Sequence, residues 1–252
     1  MENQAGAVPS LRLIAWNCHH GSLSARLAEL AEHAPDVVFI QEYAPTDAIE
    51  AGQIVTRRVS PRKAIALASR GDRFRLEKLR PRPRSGRATL AAAVTGPVSF
   101  TALGIWSRGP NYADDVMRTL DAYTNVLRSG PAVVMGDLNS GADLNLKPSP
   151  SKGHARILGA LADLGLVSAY HAFHEVTHGH ESHATYRHLF KASRPWHIDF
   201  CFVPRSWLEH LARVDVIDGE DWAVRSDHLP LMVELQFRQC PSRSSRPLCV
   251  SA

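Results

Sequence analysis

Five short apolar runs in this chain each stop on, or enclose, a carboxylate, a carboxamide or an imidazole. LIAW runs into Asn17, DVVFIQ into Glu42, and VVMG into Asp137-Leu138-Asn139; Asp199 sits inside WHIDFCFV, and Ser226-Asp227-His228 leads into LPLMVEL. Runs of this length and composition read as buried strands. A carboxylate beside or within one is costly unless it is paired or bound to a cation. Any single acid so placed can be a cap or a satisfied core acid. Four acids (Glu42, Asp137, Asp199, Asp227), two amides and a histidine suggest strand ends that converge. Hard oxygen donors with one imidazole suit Mg²⁺ or Mn²⁺ better than zinc.

Helical spacing fills the intervals. Leu23, Leu27, Leu30 and Ala34 form one stripe, stopped by Pro35; Val116, Leu120, Tyr123 and Leu127 form a second; Ile157, Leu161 and Leu164 form a third. Asn111 can cap the second helix, with Asp114 and Asp115 in its first turn and Gly130-Pro131 closing it. Strands are predicted over 11–16, 36–41, 63–69, 73–79, 87–94, 98–106, 131–136, 184–187, 197–203, 213–217 and 229–237. Such alternation fits an α/β or α+β domain, and 252 residues bury enough surface to fold without metal or disulfide staples.

The expected organisation is an N-terminal extension over 1–10, one domain over 11–237, and a Ser/Pro/Arg-rich disordered tail over 238–252. No stretch approaches the ~20 apolar residues of a membrane span, and no basic-then-apolar leader is visible. Four scattered cysteines, two of them in the tail, do not make a disulfide framework, so a reduced cytoplasmic setting is expected. Oligomeric state has no signature here.

Charge is uneven. Between Thr56 and Arg87 twelve Lys/Arg face only Asp72 and Glu77, in a chain of net charge +4. Such a block attracts phosphates and speeds capture of polyanions; an ordinary solvated surface is the other reading.

Taken together, WN (Trp16-Asn17), IQE (Ile40-Gln41-Glu42), GDLNS (136–140), HIDFCFV (197–203) and SDHLPL (226–231) resemble the endonuclease/exonuclease/phosphatase superfamily. That group includes pancreatic deoxyribonuclease, abasic-site endonucleases, sphingomyelinases and inositol polyphosphate phosphatases. The resemblance implies an α+β fold, a four-layer αββα sandwich of two mixed β-sheets flanked by helices, with the site at one edge. It also implies a metal-dependent phosphoesterase acting on a phosphoester, a nucleic acid or nucleotide among the candidates, with Mg²⁺ or Mn²⁺ as cofactor. By the same resemblance Glu42 is the principal metal ligand, assisted by Asn17, and Asp227 is a further ligand or supporting acid. Asp137 orients and deprotonates the attacking water, and Asn139 holds that water or a phosphate oxygen. His228 faces the scissile phosphate, and Asp199 binds its far ring nitrogen.

Two departures stand out. Where the family's middle strand usually ends in a histidine or tyrosine, this chain has Trp106, followed by Ser107 and Arg108. An indole cannot accept a proton, so Trp106 is expected to stack on substrate or simply to pack. Asn17 is followed by Cys18-His19, where the abasic-site enzymes carry an acid two positions on. A catalytically weak nucleic-acid or phosphate-binding module on the same fold is therefore an alternative.

The stretch 170–188 holds six of the thirteen histidines and contains His174-Glu175-Val176-Thr177-His178, a match to H-E-x-x-H. A zinc protease needs that motif on a stable helix. Here β-branched residues and Gly179 interrupt it, so a zinc metalloprotease ranks last. Thr185, Tyr186 and His188 match a Thr-Tyr-x-His found beside the site in some superfamily members. Tyr186 and His188 are thereby substrate-binding candidates, His188 also as a replacement for the missing imidazole.

Overall fold

Alternation within the apolar runs decides where each strand face goes. The structure, a computed structural model, describes residues 9–46, 53–142 and 150–237. The tail over 238–252 and most of the expected N-terminal extension lie outside these residues. The chain runs β1 (Ser10–Asn17), α1 (Leu23–Glu29), β2 (Val37–Tyr43), β3 (Ile54–Arg58), β4 (Ala64–Ser69), β5 (Arg75–Lys78), β6 (Thr89–Thr95) and β7 (Phe100–Ile105). It continues through α2 (Tyr112–Leu127), β8 (Ala132–Asp137), α3 (Pro150–Asp163), β9 (Leu166–Ser168), α4 (Ala169–His174), β10 (Tyr186–Arg187) and β11 (Pro195–Trp196). The last elements are β12 (Asp199–Pro204), β13 (Leu211–Val216), α5 (Glu220–Arg225) and β14 (Leu231–Gln236).

Two six-stranded mixed sheets result, ordered β13-β14-β1-β2-β4-β3 and β5-β6-β7-β8-β12-β9, and β10 pairs only with β11. Successive side chains on a strand point to opposite faces. Leu11, Leu13 and Ala15 of β1, Val37 and Phe39 of β2, Val133 and Met135 of β8, and Cys201 and Val203 of β12 therefore meet between the sheets. The intervening Ile14, Trp16, Val38 and Ile40 pack outward under α1 and α5, against Leu23 and Trp222. Val134, Phe200 and Phe202 pack outward under α2 and α3, against Leu120, Tyr123, Ile157 and Leu161. Three apolar layers separate four layers of secondary structure, so the sandwich expected from the sequence is present.

The sheets approach closely where Phe39 lies over glycines. A methyl group added at Gly104 would overlap the Phe39 ring, and one at Gly136 would meet both that ring and the Ile105 carbonyl. Gly136 also has φ +126°, a conformation other residues rarely adopt. It therefore delivers the residue after it, Asp137, to the sheet end. Asn111 caps α2 as its sequence predicts, Oδ1 accepting from the Asp114 N–H at 3.2 Å.

The structure departs from the sequence expectations in its smaller elements. Strand β3 falls in a stretch without a predicted element, because this short outer strand, IVTRR, has no buried residue and ends on an exposed arginine. Of 184–187, only Tyr186–Arg187 is strand, with the Thr185 backbone bonded to the Trp196 carbonyl and the Leu229 N–H beside it. Helices α4 and α5, six residues each, are too short to show a period. The basic window maps onto β3, β4, β5 and their connections, at the same flank of both sheets, and ten of its twelve cations are exposed.

Candidate active site

Strand ends bring the predicted residues together. β1 and β2 are parallel with Asn17 opposite Gln41, and the pairing of β2 with β4 shifts register between Gln41 and Tyr43. Glu42 sits on that bulge with φ +66°, which re-aims its side chain, the usual effect of a bulge. β8 and β12 are antiparallel with Asp137 directly opposite Asp199. Asn139, with φ +47°, turns back onto Asp137.

Asn17 bridges two acids: its Nδ2 donates to Glu42 Oε1 at 2.9 Å and to Asp137 Oδ2 at 3.0 Å. Its side-chain Oδ1 accepts from the His19 N–H at 3.1 Å, so in this structure Asn17 steadies the acids through its side-chain N–H groups. Asp137 also accepts from the Asn139 backbone N–H at 2.8 Å and from Asn139 Nδ2 at 3.1 Å. The same Nδ2 donates to the Ser107 carbonyl at 3.0 Å.

Behind this pair, His228 Nδ1 lies 2.8 Å from Asp199 Oδ2, and its Nε2 lies 3.8 Å from Asp137 Oδ2. Donor atoms of Asp137, Asp199 and His228 form one tight, buried group. Ser226 fixes the imidazole's backbone: its Oγ accepts from the His228 N–H at 3.0 Å and donates to the Asn17 carbonyl at 2.7 Å. Thr185 fixes Asp199, its Oγ1 accepting from the Ile198 and Asp199 N–H groups at 3.0 Å each.

Burial alone would lower the pKa of His228, but the carboxylates of Asp199 and Asp137 outweigh it and raise it to about 9. Burial pushes Asp137 up to about 7, against the opposing pull of His228. Tyr186, whose ring centroid is 4.4 Å from that of His228, is raised to about 12 by burial and by the acids Asp227 and Asp137.

A polar cleft of about 400 Å³ opens over this group, lined by Glu42, Trp106, Arg108, Asp137, Tyr186 and Asp227 among others. Lys63 Nζ lies 2.7 Å from Glu42 Oε2 and donates to the His19 carbonyl; His19 Nδ1 is 3.4 Å from Asp227 Oδ1. Glu42 thus already holds a cation with one oxygen, and with Asp227 it presents oxygen donors alone to the cleft. That donor set fits a hard divalent cation.

Trp106 is nearly buried, at 6% exposure, and the Arg108 guanidinium lies 4.4 Å from its ring centroid. Among the described residues, His19 and His228 are the imidazoles lining the cleft. His188 stands behind it, its Nδ1 3.0 Å from the Tyr186 hydroxyl. Sequence reasoning missed Lys63 on Glu42, Tyr112 in the cleft lining, the anchoring role of Ser226 and the buried acceptor role of Thr185. Lys63 was hidden in the basic window, and a β-hydroxyl accepting two backbone N–H groups leaves no sequence signal.

The H-E-x-x-H helix is not formed. α4 stops at His174, Glu175 is its left-handed C-cap at φ +55°, and His174 Nε2 turns to the Val214 carbonyl at 2.9 Å. A cation site on a shared helical face is therefore ruled out for His174 and His178.

Fold and cleft together define a nuclease/phosphatase-type hydrolase sandwich. Residues 14–228 match the Endonuclease/Exonuclease/phosphatase family, and the chain belongs to it. A 3'-5' exonuclease from Neisseria meningitidis shares the fold at a TM-score of 0.65 and 20% identity, over 90% of this chain and 100% of that one. An AP endonuclease from Archaeoglobus fulgidus gives 0.68 and 18%, over 88% and 98%. The endonuclease domain of TRAS1, a telomere-specific non-LTR retrotransposon, gives 0.66 and 16%, over 92% and 100%. No curated protein matches the chain.

Proposed function

We propose that residues 11–237 form a Mg²⁺- or Mn²⁺-dependent phosphoesterase that hydrolyses phosphoesters of a nucleic acid by in-line attack of water. The observation that carries this reading is the convergence of Asp137, Asn139 and the His228–Asp199 pair on one polar cleft beside Glu42. Asp137 and Asn139 hold the attacking water, and Asp137 takes its proton. The water oxygen bonds to phosphorus as the bond to the leaving oxygen breaks. His228, kept protonated and oriented by Asp199, faces the equatorial oxygens where charge accumulates. Glu42 and Asp227 would hold the metal, with Asn17 steadying Glu42; the ion would supply Lewis-acid stabilisation of the phosphoryl charge.

A nucleic-acid substrate is favoured by the cationic flank formed by the basic window and by Arg108, whose guanidinium lies over the Trp106 ring at the cleft. One structurally similar protein, a 3' phosphatase from Neisseria, is described as bound to a product DNA hairpin. A reducing, cytoplasmic setting agrees with Cys18 and Cys201, both buried free thiols. A binding module of low activity is the second reading, favoured by the tryptophan at position 106.

The test is chelation and rescue. The chain is stripped with EDTA and resupplied with Mg²⁺, Mn²⁺ or Zn²⁺, with bis-p-nitrophenyl phosphate, plasmid DNA and a 3'-phosphorylated oligonucleotide as substrates. Rescue by Mg²⁺ or Mn²⁺, with Asp137→Ala slower by roughly a hundredfold or more, supports the phosphoesterase. DNA retention without turnover supports the binding module. Near-native rates in Asp137→Ala overturn its assignment.

A further inference from the structure

Behind the active cleft lies a second group of metal-ligating side chains that the phosphoesterase chemistry does not use. His154 comes from α3, His171 from α4, and His178 and Glu181 from the loop that follows α4. One donor atom each of His171, His178 and Glu181 lie within 4.8 Å of one another. His154 Nε2 is 3.4 Å from His178 Nδ1, His171 Nε2 is 2.8 Å from Glu181 Oε1, and His178 Nδ1 is 4.0 Å from the same oxygen.

Bonds of about 2.0–2.1 Å from zinc to nitrogen and oxygen, at tetrahedral angles, set donor atoms about 3.3 Å apart. The separations within the His171, His178 and Glu181 group straddle that value, so these three donors can close on one ion by side-chain rotation; His154 meets His178 but lies outside the group and joins it only by a larger swing of its side chain.

The far side of the group is as informative as the near side. Ligating imidazoles characteristically have their other ring nitrogen held by an oxygen, which fixes ring orientation. Here Ser140 Oγ is 3.2 Å from His154 Nδ1, and Ser168 Oγ is 2.7 Å from His171 Nδ1. Each hydroxyl can donate or accept, so either imidazole can present a lone pair inward without backbone movement. The Glu181 carboxylate is braced by the Gly179 N–H, which donates to its two oxygens at 3.1 and 3.0 Å.

A fourth imidazole, His197, has its Nδ1 2.8 Å from the His183 carbonyl. Its Nε2 is buried without a partner, and its ring centroid is 5.7 Å from that of His171. Buried imidazoles around a buried carboxylate, with one ring nitrogen orphaned, are a costly arrangement for hydrogen bonding alone. A dication offsets the cost of the packed imidazoles and the carboxylate; the His197 nitrogen is not among its ligands.

We propose that His171, His178 and Glu181 form a second metal site, closed to a tetrahedron by rotation of the adjacent His154 side chain, that takes a borderline transition-metal dication of the zinc class. Three imidazoles and one carboxylate suit zinc, and the carboxylate oxygens of Glu42 and Asp227 suit magnesium. Four protein ligands leave no open position, so the ion is structural. It ties α3 to the loop after α4, and through Ser140 and His197 it abuts the segments that carry Asn139 and Asp199.

The test uses the tag-free full-length chain, stripped of metal and titrated with Co²⁺ as a spectroscopic probe. Tetrahedral Co²⁺ absorbs intensely in the visible; octahedral Co²⁺ bound by oxygen absorbs weakly. One equivalent of intense absorption, displaced by Zn²⁺, is expected in the wild type and in Glu42→Gln. His178→Gln, at a half-exposed loop position, and Glu181→Gln are both expected to lose that absorption while keeping wild-type circular dichroism. Zn²⁺ is expected to raise the melting temperature of the wild type and not of either variant. Only weak octahedral bands in the wild type, or intense bands that survive in either variant, overturn the proposal. Because Glu42→Gln disables only the oxygen-ligand site, failure of the phosphoesterase reading leaves this outcome unchanged.

Discussion

Replacing Asp199 by asparagine tests whether its carboxylate works through His228. The two side chains meet at 2.8 Å and are 0% and 6% exposed, so water cannot replace the lost charge. Burial opposes protonation of His228, yet its pKa is raised from 6.5 to about 9, with Asp199 the largest of the favourable causes. At about 1.4 kcal/mol per pH unit the net rise is roughly 3 kcal/mol. A buried hydrogen bond to a charged group contributes about 1.5–3 kcal/mol. Both routes place the loss near 2–3 kcal/mol, a fall in kcat of roughly 30- to 150-fold. The assay is steady-state hydrolysis of bis-p-nitrophenyl phosphate at saturating Mg²⁺, with KM little changed and the folded circular dichroism retained. A double-mutant cycle completes it: Asp199→Asn added to His228→Ala is expected to slow turnover no further, because the two act as a unit. Additive losses, or an Asp199→Asn rate within threefold of wild type, refute the reasoning.

Thr185→Val keeps the side-chain volume but removes the acceptor for two buried N–H groups; urea unfolding is expected to show a loss of about 2–5 kcal/mol, and a loss below 1 kcal/mol contradicts the role assigned to the hydroxyl. Burial pushes the Cys18 and Cys201 thiols up to about 12. The folded chain keeps both protons where the unfolded chain releases them from about pH 9, so their stabilising contribution is complete below that pH and falls as pH rises toward 12. The slope is roughly 1.4 kcal/mol per pH unit for each thiol. Cys201→Ala is accordingly expected to lose about 2 kcal/mol less stability than wild type between pH 9 and 11, and equal slopes contradict the assignment.

What the sequence made legible follows from which signals are local. β1, β2, β8 and β12 were readable because each is buried on both faces, so its apolar run is nearly continuous and its terminal polar residue conspicuous. Asn111 was readable as a cap because capping is decided within four residues. β3 was not, since Ile54 and Val55 are followed at once by Thr56, Arg57 and Arg58, too short an apolar run to show a period. The histidine-rich stretch misled in an instructive way. H-E-x-x-H is a spacing rule for one helix, but this helix ends at His174. The histidines that do cluster come from separate segments, with His154 and His197 outside the matched motif. Thr185 and Lys63 act through tertiary contacts at sequence distances of 14 and 21, beyond any local pattern. The site's outline was therefore visible, while the residues that hold its members in place were not.

The most direct measurement for the central claim is the Mg²⁺ dependence of phosphoester hydrolysis by the metal-stripped chain, compared between wild type and Glu42→Gln. Turnover that is absent in EDTA, saturates with added Mg²⁺, and in Glu42→Gln needs a clearly higher Mg²⁺ concentration for half-maximal rate is the predicted result. Hydrolysis that persists in EDTA, or superimposable Mg²⁺ curves for the two proteins, contradicts the account.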